Sequence, residues 1–175
     1  IPYNIQHVVV TRENMSIMQE NQVENIFKRI NEKKDLMTEA FPVDFLYSIE
    51  DNQGVKYSSD KKKLLYASKP LNSYVIPEGT EVICSYAFQS NSICSVVFPN
   101  SLKKIGDRAF ACCSLRCVDL RNTQIKNIGE YSFLCDKLET IFFPNCLEVV
   151  NKRDFKVCKS LKYIYIPECV KVIDE

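Results

Sequence analysis

Histidine, glycine and net charge are all scarce here: the 175-residue chain has one His, four Gly and a formal charge of +1. Each scarcity removes a class of chemistry. A Ser-His or Cys-His nucleophile pair would have to use His7, which has no catalytic motif around it. His7 reads as a structural or surface residue. None of the four glycines falls in a G-x-G-x-x-G dinucleotide fingerprint, and the sequence contains neither a phosphate-binding P-loop nor an H-E-x-x-H helix. Lys+Arg 23 against Asp+Glu 22 gives no pull toward nucleic acid or an anionic membrane. No apolar run approaches the roughly 18 residues that a membrane span needs. Acidic pairs such as Glu50-Asp51 fall in polar loops and read as solvated. The sequence therefore predicts no catalytic residue, no cofactor, no nucleic-acid partner and no membrane insertion.

Cysteine is abundant, with nine residues, but its spacing argues against a metal site. Cys112, Cys135 and Cys158 lie 23 apart, as do Cys94 and Cys117, and Cys146 and Cys169. A zinc cage needs four ligands converging on one point, commonly from two C-x2-4-C knuckles. Cys112-Cys113-x3-Cys117 has no second half. The expectation is buried, reduced thiols acting as small hydrophobes. Such thiols favour a reducing compartment. A disulfide between stacked turns is possible in distance, and the odd count leaves at least one thiol free.

The same period governs the rest of residues 74–175. Ile76-Pro77, Phe98-Pro99, Leu120-Arg121, Phe143-Pro144 and Ile166-Pro167 follow one another at steps of 22, 22, 23 and 23. Ile83, Ile105, Ile128, Val150 and Ile173 keep the period, as do Phe88, Phe110, Phe133 and Phe155, and Ile93, Leu115, Leu138 and Leu161. A repeat of this length is one turn of a solenoid, whose core exists only between stacked turns. Leu161-Lys-Tyr-Ile164-Tyr-Ile166-Pro167 is the clearest strand, alternating with period two and closed by a proline. Gly106 and Gly129 occupy equivalent places and suit a tight bend. Val172-Ile173-Asp174-Glu175 stops in mid-repeat, which predicts a missing cap or a continuing stack.

The segment Pro99-Asn-Ser101-Leu-Lys-Lys-Ile105-Gly106-Asp-Arg-Ala109-Phe110-Ala-Cys112 resembles the BspA-like leucine-rich repeats, as do Ile83-Cys-Ser-Tyr-Ala87-Phe88 and Ile128-Gly129-Glu-Tyr-Ser-Phe133. The resemblance covers about residues 74–175. Arg121 in place of proline, Val150-Asn151 in place of Ile-Gly and Asp154-Phe155 in place of Ala-Phe depart from the pattern. The resemblance implies a bacterial or protozoan surface or secreted protein that binds other macromolecules and has no enzymatic activity. A cytoplasmic location is the alternative that the cysteines suggest.

Residues 1 to about 50 do not repeat. Ile5–Val10 reads as a strand. Ser16-x-x-Gln19 resembles a capping box. Val23, Ile26, Phe27 and Ile30 share one helical face, predicting a helix over 15–35 that extends toward Phe41 and ends at Pro42. Val55–Tyr57 and Lys63–Tyr66 flank a polar turn and predict a hairpin, with Lys61, Lys62 and Lys63 as a solvated tip. Asn14-Met-Ser16 is the one glycosylation sequon. The fold class is α/β: a leucine-rich-repeat solenoid of 22–23-residue repeats with a non-repeating α/β N-terminal cap. Its parts are a cap at 1–54 (strand plus amphipathic helix), a hairpin and lead-in at 55–73, and a solenoid of about four and a half turns at 74–175.

Outward strand positions form two columns. One is Ser95, Cys117, Thr140 and Tyr163; the other is Val97, Asp119, Phe142 and Tyr165. Solenoids bind along such faces, and aromatics concentrate binding energy. These eight residues are the binding candidates, for a protein or glycan ligand. The alternative is a structural spacer that displays a neighbouring domain.

Overall fold

The computed structural model describes residues 37–155 and 157–174. The strand at Ile5–Val10, His7, the sequon and the helix over 15–35 lie outside the described residues. Residues 37–41 carry no helix, and Pro42 opens a helix rather than ending one: α1 is Pro42–Leu46, with proline in its first turn. The ring's fixed φ suits that position, where the missing N–H is not needed. The Asp44 carboxylate accepts from the Phe41 N–H at 2.9 Å.

The hairpin is present. β2 (Val55–Tyr57) pairs antiparallel with β1 (Ile49–Glu50) and with β3 (Lys63–Ala67). Ser58 and Asp60 tie its turn: the Ser58 hydroxyl donates to Asp60 Oδ1 at 2.6 Å and accepts from the Lys63 N–H at 2.9 Å. Lys61 and Lys62 are exposed, but Lys63 is only 4% exposed, so the three lysines are not one solvated tip. Lys63 belongs to a strand buried on both faces, and period two puts its side chain on the side of Leu65, opposite the core residue Leu64.

From β3 onward the chain winds. β3 pairs in parallel with β5 (Val82–Ile83), β5 with β7 (Lys104–Ile105), and β7 with β9 (Asn127–Ile128). β11 (Val149–Asn151) and β13 (Val172–Asp174) pair in the same sense. On another side of each coil, β4 (Ser73–Val75) pairs with β6 (Ser95–Val97). β8 (Cys117–Asp119), β10 (Thr140–Phe142) and β12 (Tyr163–Tyr165) form a second parallel ladder beside them. The pairing offsets follow the sequence period: Tyr74 opposite Val96, Val118 opposite Ile141, Ile141 opposite Ile164.

The turn segments also stack. The N–H groups of Tyr86, Phe88 and Ser90 donate to the carbonyls of Asp107, Ala109 and Ala111 at 2.8–2.9 Å. One coil on, Arg108, Phe110 and Cys112 donate to Glu130, Ser132 and Leu134 at 2.9 Å. The first and last donors of each set are left-handed: φ is 64° at Tyr86, 58° at Ser90, 54° at Arg108 and 59° at Cys112.

The core is one column per repeat position. Phe88, Phe110 and Phe133 are fully buried. Their rings lie nearly parallel, with centroids 5.0 and 5.6 Å apart. Such stacks add about 0.5–1.5 kcal/mol per pair beyond the area they bury. Gly106 and Gly129 are not bends: neither has positive φ. A Cβ on Gly106 would come within 2.4 Å of the Ser85 backbone nitrogen, and one on Gly129 within 2.4 Å of that of Asp107. Close approach of successive coils requires them.

Asp51 is not simply solvated. Its Oδ1 accepts from the N–H groups of Gln53 and Val55 at 2.9 Å, and its Oδ2 accepts from the Tyr74 hydroxyl. Tyr74 in turn shares a 2.6 Å hydrogen bond with Tyr57. This chain joins the hairpin to the first coil. Ion pairs repeat along the outside, with Glu81 between Lys62 and Lys103, and Glu139 between Arg116 and Lys162.

The cysteines divide. Cys84, Cys113, Cys135 and Cys158 are buried, Cys146 is half-buried, and Cys94, Cys112, Cys117 and Cys169 are exposed. The expectation of mostly buried thiols therefore holds for fewer than half. The buried column is Cys113, Cys135 and Cys158, not the one through Cys112; their thiols donate to the carbonyls of Phe88, Phe110 and Phe133 at 2.9, 3.0 and 3.2 Å. One residue separates the two registers, because Cys112 is left-handed and turns outward.

Candidate recognition surface

The two ladders β4–β6 and β8–β10–β12 present period-two strands, so alternate residues leave the core. Tyr74, Val118 and Ile141 point in and are 0–3% exposed. Their neighbours point out. Ser95, Cys117, Asp119 and Ser73 are exposed. Val75, Val97, Tyr163 and Tyr165 are 65%, 56%, 58% and 53% exposed, and Thr140 and Phe142 are half-buried. The parallel register sets Cys117, Thr140 and Tyr163 side by side, and likewise Asp119, Phe142 and Tyr165.

The second column is a stack. The Phe142 and Tyr165 rings lie 4.4 Å apart and 10° from parallel. The Arg121 guanidinium covers the other face of the column at 4.5 Å from the Phe142 centroid. Asp119 holds that guanidinium in a two-point bond, with Nε to Oδ1 at 2.9 Å and Nη2 to Oδ2 at 2.6 Å. The fork geometry of arginine matches a carboxylate and leaves its plane free to stack. The Arg121 bond holds the Asp119 carboxyl below its usual range. Burial, and then the Asp119 charge, push the Cys117 thiol up.

Sequence reasoning missed three residues here. Ser73 and Val75 extend both columns by one coil, and a step of 22 back from Ser95 and Val97 would have found them. Arg121 reads from sequence as a lost proline. Its role follows from standing two residues after Asp119, on the same side of the strand end.

Among the described residues, β12 pairs with β10 alone and β13 with β11 alone. Ile164, Ile166 and Ile173 are 40%, 43% and 61% exposed, whereas their equivalents Ile141, Phe143 and Val150 are 0%, 3% and 6%. The clearest strand in the sequence is thus the most exposed of its ladder, with one paired neighbour among the described residues. Among the described residues, no group of three or more His, Cys, Asp or Glu is placed to hold a metal ion. No helix among them is long and apolar enough to cross a membrane.

Comparison with known proteins agrees with this geometry. A leucine-rich repeat protein from Eubacterium ventriosum superposes with TM-score 0.55 at 21% identity, covering 71% of this chain and 41% of its own. A leucine rich cell surface protein from Faecalibacterium prausnitzii superposes with TM-score 0.54 at 18% identity, covering 68% and 39%. The chain thus spans about two-fifths of the length of each. At these identities the likeness shows the fold. No curated protein matches the sequence. The model of the BspA type leucine rich repeat region matches six copies over residues 61–175, beginning within the hairpin. The chain belongs to the BspA-type leucine-rich-repeat family.

Proposed function

We propose that the outward face from Ser73 to Tyr165 is a non-catalytic recognition surface for a protein or glycan. Family membership is consistent with a protein-interaction or repeat-scaffold role. The observation that carries recognition is the exposed aromatic end of the face, where Tyr163 and Tyr165 flank the Arg121–Phe142 stack. Tyrosine buries large area at low entropic cost and offers a hydroxyl, which is why it concentrates at interaction hot spots. The Asp119–Arg121 pair is internally neutralised, so the ligand this face suits is uncharged where it meets that pair. A surface or secreted setting is part of the proposal; one relative is described as a cell surface protein.

One observation favours a spacer instead. Both faces of Phe142 are already occupied, by Arg121 and Tyr165, so the column could stabilise the coils without any ligand.

Arrays of proteins and glycans probed with the unaltered chain separate the two. Parallel probes are a Tyr163→Ala/Tyr165→Ala variant and a control, Lys104→Ala/Asn127→Ala, on the other ladder. Recognition predicts a ligand whose affinity falls about tenfold or more in the tyrosine variant alone. Equal binding by all three, or loss in the control, would refute the face. No ligand on any array supports the spacer.

A further inference from the structure

Several cysteine pairs share the 23-residue step, and their surroundings separate them. Cys113, Cys135 and Cys158 are buried, with thiols bonded to backbone carbonyls. Cys112 is exposed while Cys135, one step on, is buried. Cys117 aligns with Ser95, so Cys94 stands one place out of register.

Cys146 and Cys169 also donate to carbonyls of the preceding coil, of Ile125 at 3.1 Å and of Leu147 at 3.4 Å, but they are less buried than the core column and share one register. Each is the third residue of an equivalent turn: Leu147 N–H closes one on the Pro144 carbonyl at 3.1 Å, and Val170 N–H closes the other on Pro167 at 3.2 Å. The turns lead into β11 and β13, which pair with Val149 opposite Val172. The two cysteines are therefore in register on adjacent coils. Paired strands lie about 4.8 Å apart, inside the roughly 4.4–6.8 Å that disulfide-linked Cα atoms span. Cys169 Sγ already lies 3.4 Å from the carbonyl oxygen of Leu147, the residue bonded to Cys146. Cys169 is exposed and Cys146 half-buried, so the pair has solvent access that the core column lacks.

We propose that Cys146 and Cys169 are a redox-sensitive modification site, closed to an inter-coil disulfide by a small-molecule disulfide such as oxidised glutathione. The Cys169 thiolate attacks one sulfur of the oxidant, forming a mixed disulfide and releasing one glutathione thiolate. The Cys146 thiolate then attacks the Cys169 sulfur and expels the second glutathione. The protein gives up two protons and two electrons, and the oxidant becomes two thiols. The bond encloses β12, so it fastens the coil that carries Tyr163 and Tyr165 to its neighbour.

The test treats the full chain with oxidised glutathione, blocks remaining thiols and maps the linkages by mass spectrometry. The expected product is a peptide pair joined through Cys146 and Cys169, lighter by two hydrogens, with slower proteolysis of residues 159–174 than in the reduced protein. In Cys146→Ser the glutathione adduct on Cys169 should accumulate. Serine suits that place, because Ser101 holds it two repeats earlier in the Pro-Asn-x-Leu turn and donates to the Thr80 carbonyl at 2.9 Å. A lasting adduct on Cys169 in the unaltered chain, a linkage through any other pair, or no reaction would each overturn the proposal.

Discussion

Phe142 and Tyr165 stack on the outside of the solenoid at 4.4 Å, as Phe110 and Phe133 stack inside it at 5.6 Å. One 23-residue step builds both columns, and what separates them is solvent. Phe142 is half-buried between Arg121 and Tyr165. Phe142→Ala should lower stability by about 1–2 kcal/mol, less than emptying a fully buried aromatic site. Urea unfolding checks this, and a loss as large as that of a core phenylalanine would place Phe142 inside.

Gly106 sets the distance between coils. An added Cβ would lie 2.4 Å from Ser85 N and 2.8 Å from Ser85 Cα, which are backbone atoms that cannot swing away. Gly106→Ala should therefore cost about 3 kcal/mol, the upper end for overpacking. Gly79 has open space around its Cβ position but φ +94°. Gly79→Ala should cost only about 1 kcal/mol of backbone strain. Equal losses in the two melts would mean that the neighbouring coil gives way to the added Cβ at Gly106.

Cys112 carries the opposite opportunity. It is exposed, with φ 59°, and it is not glycine. Cys112→Gly should raise stability by about 0.5–1 kcal/mol by removing the left-handed penalty, while its N–H keeps its bond to the Leu134 carbonyl. A lowered urea midpoint would show that the side chain contributes more than the strain costs.

Alkaline pH should unfold this protein early. Burial pushes the thiols of Cys84 and Cys113 from 9.0 up to about 12, and raises that of Cys135. Burial also raises Tyr57 to about 12, and raises Tyr74 along with its bond to Asp51. These groups keep their protons in the folded state after the unfolded chain has lost them. Their contribution is complete below about pH 9 and is lost as pH rises through the folded values, by about 1.4 kcal/mol per thiol per pH unit. Urea midpoints under reductant at about pH 8 and about pH 10 test it. Equal midpoints would mean that the buried thiols ionise freely.

Much of this was legible because a solenoid writes its geometry as a period. Ile83, Phe110 and Leu138 occupy their places through sequence spacing alone, and so do the outward Asp119, Phe142 and Tyr165. What escaped depends on a single residue's conformation or partner. The left-handed turn at Cys112 shifts the buried thiol column to Cys113, and no spacing rule shows it. Asp51 looks like a loop acid until the fold brings Tyr74, 23 residues away, to its carboxylate. Lys63 looks solvated beside Lys61 and Lys62, yet its strand is covered. Pro42 carries the same residue type at a helix start as at a helix stop, and only the backbone decides.

The division of labour between inward and outward columns is tested most directly by melting Phe110→Ala beside Tyr165→Ala. Phe110 is 0% exposed and Tyr165 is 53% exposed. Phe110→Ala should lose about 3–5 kcal/mol, while Tyr165→Ala should lose well under half as much and remain folded. A loss for Tyr165→Ala equal to or greater than that for Phe110→Ala would contradict the assignment of faces, and with it the recognition surface.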